Sequence, residues 1–105
     1  MGKIVIATYR PKAGKEKKLE QLVKNHVKVL RNQGLATMRT PMIMKSADGT
    51  IVEVFEWISK QAIEDAHSNK DVQEYWDKYR EVCDIIPVSS LNETNTSFSE
   101  FNPFN

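Results

Sequence analysis

The chain predicts a two-layer α+β fold, an antiparallel sheet covered on one face by helices, and three observations carry that expectation. Segments of short-range apolar alternation and segments of helical apolar spacing follow one another as two strand-helix-strand halves. An Asp48-Gly49 pair between the second and third alternating segments signals a tight turn between antiparallel strands. At 105 residues the chain is one domain with a modest core, too small for separate catalytic and regulatory modules.

Each element follows from its residues. Lys3 to Tyr9 alternates apolar and β-branched residues and stops at Arg10-Pro11, where proline ends the ladder. From Lys15 to Gln33, Leu19, Leu22, Val23, His26, Val27 and Leu30 recur at helical spacing, and Gly34 supplies the stop. Ala36 to Lys45 returns to alternation, broken at Pro41, which suggests an edge or a bulge. Ile51 to Ile58 is a third strand, and Ser59 is suited to cap the helix that follows from Gln61 to His67. After a break near Asn69, a second helix runs from Asp71 to Cys83 with Val72, Tyr75, Trp76, Tyr79, Val82 and Cys83 on its apolar face. Ile85 to Leu91 reads as a fourth strand entered through Pro87. Residues 1–92 then form the domain, and 93–105 a polar tail carrying Phe98, Phe101 and Phe104.

The resulting order, β-α-β-β-α-β, is that of a ferredoxin-like fold with helices on one sheet face. Strand three places Val52, Val54 and Ile58 on one side and Ile51, Phe55 and Trp57 on the other. Strand two divides Met38, Met42 and Met44 from Ile43 in the same way. Both faces are apolar, so a homodimer through the uncovered sheet face is expected, with the tail phenylalanines either docking on the partner or disordered.

Composition narrows the function classes. Fifteen basic and fourteen acidic residues leave a formal charge of +1, without the basic excess of a nucleic-acid-binding protein. The single cysteine, Cys83, forms no internal disulfide, and on an apolar helix face its thiol is expected to be inert. No apolar run approaches a membrane span of about eighteen residues, and the N-terminal run is too short for a signal peptide. A soluble cytoplasmic protein with no membrane partner is the expectation. The sequons at Asn92 and Asn95 matter only in a secreted chain. A glycine-rich phosphate loop, an HExxH motif and a GxSxG elbow are all missing, and two distant histidines with one cysteine make no metal site.

The residues with chemical potential cluster between Ile51 and Tyr79. His67, about three helical turns after Trp57, is a candidate base, set against a helix C-terminal histidine bonded to a nearby carbonyl. His26 lies on the apolar stripe of the first helix and faces the sheet and any pocket beneath it; a satisfied core histidine is the alternative. Trp57 and Trp76 suit stacking on a planar ligand or packing in the core. Tyr75 and Tyr79 share a helical face from which a hydroxyl can orient a substrate while the ring packs. Thr8, near the end of the first strand, joins these as a substrate-binding candidate.

The strand pattern, the EVFEWISKQAIEDAH run and the later aromatic helix resemble the antibiotic biosynthesis monooxygenase family of dimeric α+β barrels. The resemblance covers roughly residues 3–92, and its most specific part is Glu56, Trp57, Ser59, Ala62 and His67. It implies a homodimer whose sheets close into a barrel, with a small-molecule pocket in each protomer between sheet and helices. Implied activities are oxygenation of aromatic polyketides or quinols without metal or flavin, and haem degradation in one branch. That branch carries an asparagine on the first strand, where this chain reads Ile6-Ala7-Thr8-Tyr9. Three functions follow as expectations. The first is a cofactor-independent monooxygenase on a quinol or polycyclic phenol, with Trp57 as aromatic wall and His67 or His26 as base. The others are a non-catalytic binder of a small hydrophobic ligand and a haem-degrading enzyme.

Overall fold

The computed structural model describes residues 1–104. Its elements are β1 (Lys3–Pro11), α1 (Glu16–Asn32), β2 (Met42–Lys45), β3 (Ile51–Trp57), α2 (Lys60–Ala66), α3 (Lys70–Val82), β4 (Cys83–Ile86) and β5 (Asn102–Pro103). The five strands form one antiparallel sheet in the order β4-β1-β3-β2-β5, an α+β architecture consistent with the ferredoxin-like order. Central strand β3 pairs along its length with β1, from Lys3 opposite Trp57 to Tyr9 opposite Ile51.

Local chemistry explains the boundaries. Gly34 after α1 and Gly49 in the β2–β3 turn take φ of 71° and 92°, a region in which a side chain meets the backbone. The Ser59 side chain accepts the Ala62 N–H, and the Asn69 side chain accepts the Val72 N–H, capping α2 and α3. Side chains at the helical spacing of α1 (Leu19, Val23, His26, Val27 and Leu30) are all buried. They meet the sheet face formed by Tyr9, Ile43, Ile51, Phe55 and Trp57 in two adjoining clusters, which α3 completes with Val72, Tyr79 and Val82.

Three expectations on the strands are corrected. The first strand runs two residues beyond Tyr9 and ends at Pro11 itself, which still pairs opposite Cys83, because a proline at the end of a strand deprives the sheet of few hydrogen bonds. The second strand shortens to β2; of its expected N-terminal part only Ala36 bridges Trp57. The fourth strand begins at Cys83 and stops at Ile86. From Pro87 the chain turns into two 3₁₀ segments, Val88–Ser90 and Asn92–Asn95, with Leu91 buried between them.

The C-terminal segment is ordered onto the sheet. It leaves β4 at one edge, contacts β1 through Val88–Ser90, and reaches the other edge, where β5 pairs with β2. Glu93 accepts hydrogen bonds from the Ser46 hydroxyl and the Ala47 N–H, and the Phe104 N–H donates to the Ile43 carbonyl. Among the tail phenylalanines, Phe104 packs beside Lys24 and Lys45, whereas Phe98 is exposed. Thr8 and Val52, on the face away from the helices, are buried, while Ile4, Ile6 and Met42 on that face remain more than half exposed.

Leu91→Ala is expected to lower unfolding free energy by about 2–5 kcal/mol, measured by denaturant titration. A loss below about 0.5 kcal/mol, the range of surface substitutions, would show that the segment contributes no packing.

Candidate functional site

Glu53 lies on the middle of β3, opposite Ala7 of β1 and Ile43 of β2, and points into the helix side of the sheet. It is fully buried. Period two puts it on the face of Ile51, Phe55 and Trp57, so an ionisable group stands in an otherwise apolar row. Its carboxylate accepts the Tyr9 hydroxyl at 2.8 Å and His26 Nδ1 at 2.9 Å and 3.1 Å to its two oxygens. No ion pair with a lysine or arginine reaches it among the described residues.

His26 projects from α1 and is also buried. The Trp76 indole N–H, from α3, lies 2.9 Å from His26 Nε2. Indole nitrogen only donates, so Nε2 is the acceptor and the proton of the neutral ring sits on Nδ1, facing Glu53. A doubly protonated ring would set two N–H donors against each other. The tautomer therefore follows from the partners, and Nε2 is the nitrogen with a lone pair. Tyr75 stacks parallel to the imidazole at 5.9 Å, and Phe55 and Tyr79 meet it edge-on at 5.4 and 5.2 Å.

Beside this group lies a cavity of about 250 Å³, walled by Val5, Ala7, Tyr9, His26, Phe55, Trp57, Trp76 and Tyr79. Exposed Ile6, Ile85 and Arg80 stand at its edge, where β4 has ended and β1 has no partner on that side. A larger groove of about 560 Å³ lies between α1 and α3 and is lined by Lys15, Lys18 and Lys78. It contains neither histidine nor indole, whereas the smaller cavity holds both.

The structure brings together His26, Trp57, Trp76 and Tyr79 from among the residues singled out in the sequence. Tyr75 stands behind His26, its hydroxyl donating to the Leu22 carbonyl at 2.6 Å. Thr8 faces the opposite side of the sheet, its hydroxyl without a hydrogen-bond partner among the described residues. His67 lies outside the cavity. It is exposed at the end of α2, donates from Nδ1 to the Ile63 carbonyl at 2.9 Å, and touches the edge of Trp76. Glu56 leans to the open face, where hydrogen bonds from Arg39 and Thr37 hold its carboxyl below the usual range. Cys83 is buried, which pushes its thiol up to about 11. Sequence reasoning missed Glu53 and Tyr9, and the available signal was an acid in phase with Phe55 and Trp57. No metal-holding group of His, Cys, Asp or Glu occurs among the described residues.

Fold and site together define a small α+β protein with a buried carboxylate–histidine pair beside an aromatic cavity. No family model, curated protein or solved structure matches the chain.

Two outcomes follow from the site. His26→Leu strands the Glu53 carboxylate without its principal donor and is expected to cost about 3–5 kcal/mol, whereas Tyr9→Phe/His26→Leu/Glu53→Leu, which removes the whole network, costs far less in the same denaturant titration. The tyrosines set a second. Burial raises the hydroxyl pKa of Tyr9 and Tyr79 well above normal and that of Tyr75 to about 12. Because the folded values exceed the unfolded one, this stabilisation is complete below about pH 10 and declines as pH rises toward the folded values. Tyrosinate absorbance is therefore expected to appear together with alkaline unfolding, rather than as a free titration near pH 10.

Proposed function

We propose that the chain is a cofactor-independent monooxygenase of the antibiotic biosynthesis monooxygenase type, acting on a small phenol or quinol with His26 as base. The observation that carries this reading is the Glu53–His26 pair, whose tautomer leaves the Nε2 lone pair at the wall of an aromatic cavity. His26 takes the phenolic proton at Nε2, and the Glu53 carboxylate stabilises the imidazolium that forms. The electron-rich ring then reduces dioxygen, and a carbon–oxygen bond forms at a ring carbon bearing hydrogen. The resulting hydroperoxide loses that hydrogen as its O–O bond breaks. One oxygen stays as a quinone carbonyl and the other leaves as water with the proton that His26 returns, so phenol and dioxygen give quinone and water. All the electrons come from the ring.

Cavity size bears on the substrate. At about 250 Å³ it falls below the range of about 300–1,000 Å³ for drug-sized ligands, which favours one or two rings over a tetracyclic polyketide. Trp57, Phe55 and Trp76 supply flat walls for such a ring. Haem finds less support, because the first strand reads Ile6-Ala7-Thr8-Tyr9 without the asparagine of the haem-degrading branch, and a cavity of about 250 Å³ is small for a tetrapyrrole. A non-catalytic ligand-binding module is the second reading, favoured by the hydrogen bond that occupies Nε2. A homodimer through the open sheet face, closing the two sheets into a barrel, is part of the proposal; exposed Ile4, Ile6 and Met42 support it.

Oxygen uptake by metal-stripped protein with one- and two-ring quinols tests the reading. Wild type is expected to consume oxygen, His26→Asn to lose about a hundred- to ten-thousand-fold in turnover, and His67→Ala to stay close to wild type. No uptake by folded wild-type protein would favour the binding module.

A further inference from the structure

We propose that Trp76 is a displaceable lock on His26, and that the cavity consequently admits neutral hydroxyarenes, whose O–H takes over the indole's place at Nε2. This deepens the reading of the cavity as the ligand site and rests on it.

The logic is one of lone pairs. Nδ1 is committed to Glu53, so Nε2 is the one acceptor the imidazole presents, and the indole N–H at 2.9 Å fills it. A ligand that is only an acceptor, such as an aryl ether or a ketone, gains nothing from Nε2. A neutral phenol can donate to it, but only if the indole leaves. Trp76 is placed to leave. It is the half-buried member of the network, whereas His26 and Glu53 are buried, and exposed His67 is one of the rings it packs against. His26 and Glu53 stay in register meanwhile, because the Tyr9 hydroxyl and the stacked Tyr75 ring hold the pair from the other sides. Trp76 is thus a positioning residue that keeps Nε2 satisfied in the empty cavity and yields it to a hydroxyl.

Exchange of one hydrogen bond for another is nearly neutral, whereas filling an unpaired buried acceptor is not. Wild type should therefore bind phenol and anisole with similar affinity. In Trp76→Phe, phenol gains a bond that anisole cannot make, and the phenol-to-anisole affinity ratio is expected to rise about tenfold. Fluorescence of Trp57 and calorimetry report the binding. In wild-type protein, nitrogen-edited NMR is expected to show the Trp76 indole N–H moving on addition of phenol and staying in place with anisole, a readout that requires no variant to fold. Phenol binding with an unchanged ratio, or with an unmoved indole resonance, overturns the lock while leaving the cavity as a ligand site. Failure of both ligands to bind folded wild type and variant overturns the lock together with the reading beneath it.

Discussion

A carboxylate buried in the centre of an apolar sheet has to find donors, and the arrangement of this protein follows from how Glu53 finds them. Its partners come from different elements: Tyr9 from the neighbouring strand and His26 from the helix above, with Trp76 of a second helix completing the histidine. Moving a charge out of water costs several kcal/mol even after relaxation. An apolar residue at position 53 would pack the same sheet without that penalty. The network is therefore poor as a source of stability and good as a device for orientation, since every donor in it meets an acceptor and every acceptor a donor. It ties α1 and α3 to the sheet at a defined height and leaves one imidazole nitrogen facing the cavity wall.

Aromatic packing supports the same geometry from the sides. Tyr9 and Tyr79 stack at 4.6 Å, joining β1 to α3, and Tyr75 backs the imidazole. Such pairs add about 0.5–1.5 kcal/mol each beyond area burial. They also keep water from the carboxylate, which strengthens its hydrogen bonds and makes loss of any partner costly. The cavity exists because the side chains of β1 that face the helices include the small Val5 and Ala7. It opens outward because β4 pairs only with Thr8 to Pro11.

The sheet's second face shows the same interplay between chain path and surface. Residues after Pro87 bury Leu91 and end in the short β5 pairing, so part of the apolar face expected to meet another copy lies against the protein's own C-terminal segment. What stays exposed is the patch of Ile4, Ile6 and Met42, at some distance from Glu93 and its hydrogen bonds to the β2–β3 turn. Both the open patch and the cavity mouth involve Ile6, so anything that covers the patch also affects access to the cavity.

By itself the sequence determined the α+β class, the helix faces, the cap at Ser59, the break near Asn69 and the turn at Gly49, because these depend on period, local hydrogen bonds and backbone sterics within a few residues. It also placed His26 toward the sheet and Trp57, Trp76 and Tyr79 on apolar faces. It did not single out Glu53, whose acid looks from composition like any charge on a half-exposed strand, and it set His67 beside Trp57 because sequence proximity stood in for spatial proximity. The β5 pairing was beyond it too, since a two-residue strand carries no periodicity. Only the tertiary structure decided which histidine meets the cavity, because that depends on an acceptor 27 residues and a donor 50 residues from His26 converging on its two nitrogens, and lone-pair matching between distant segments leaves no local pattern in the chain.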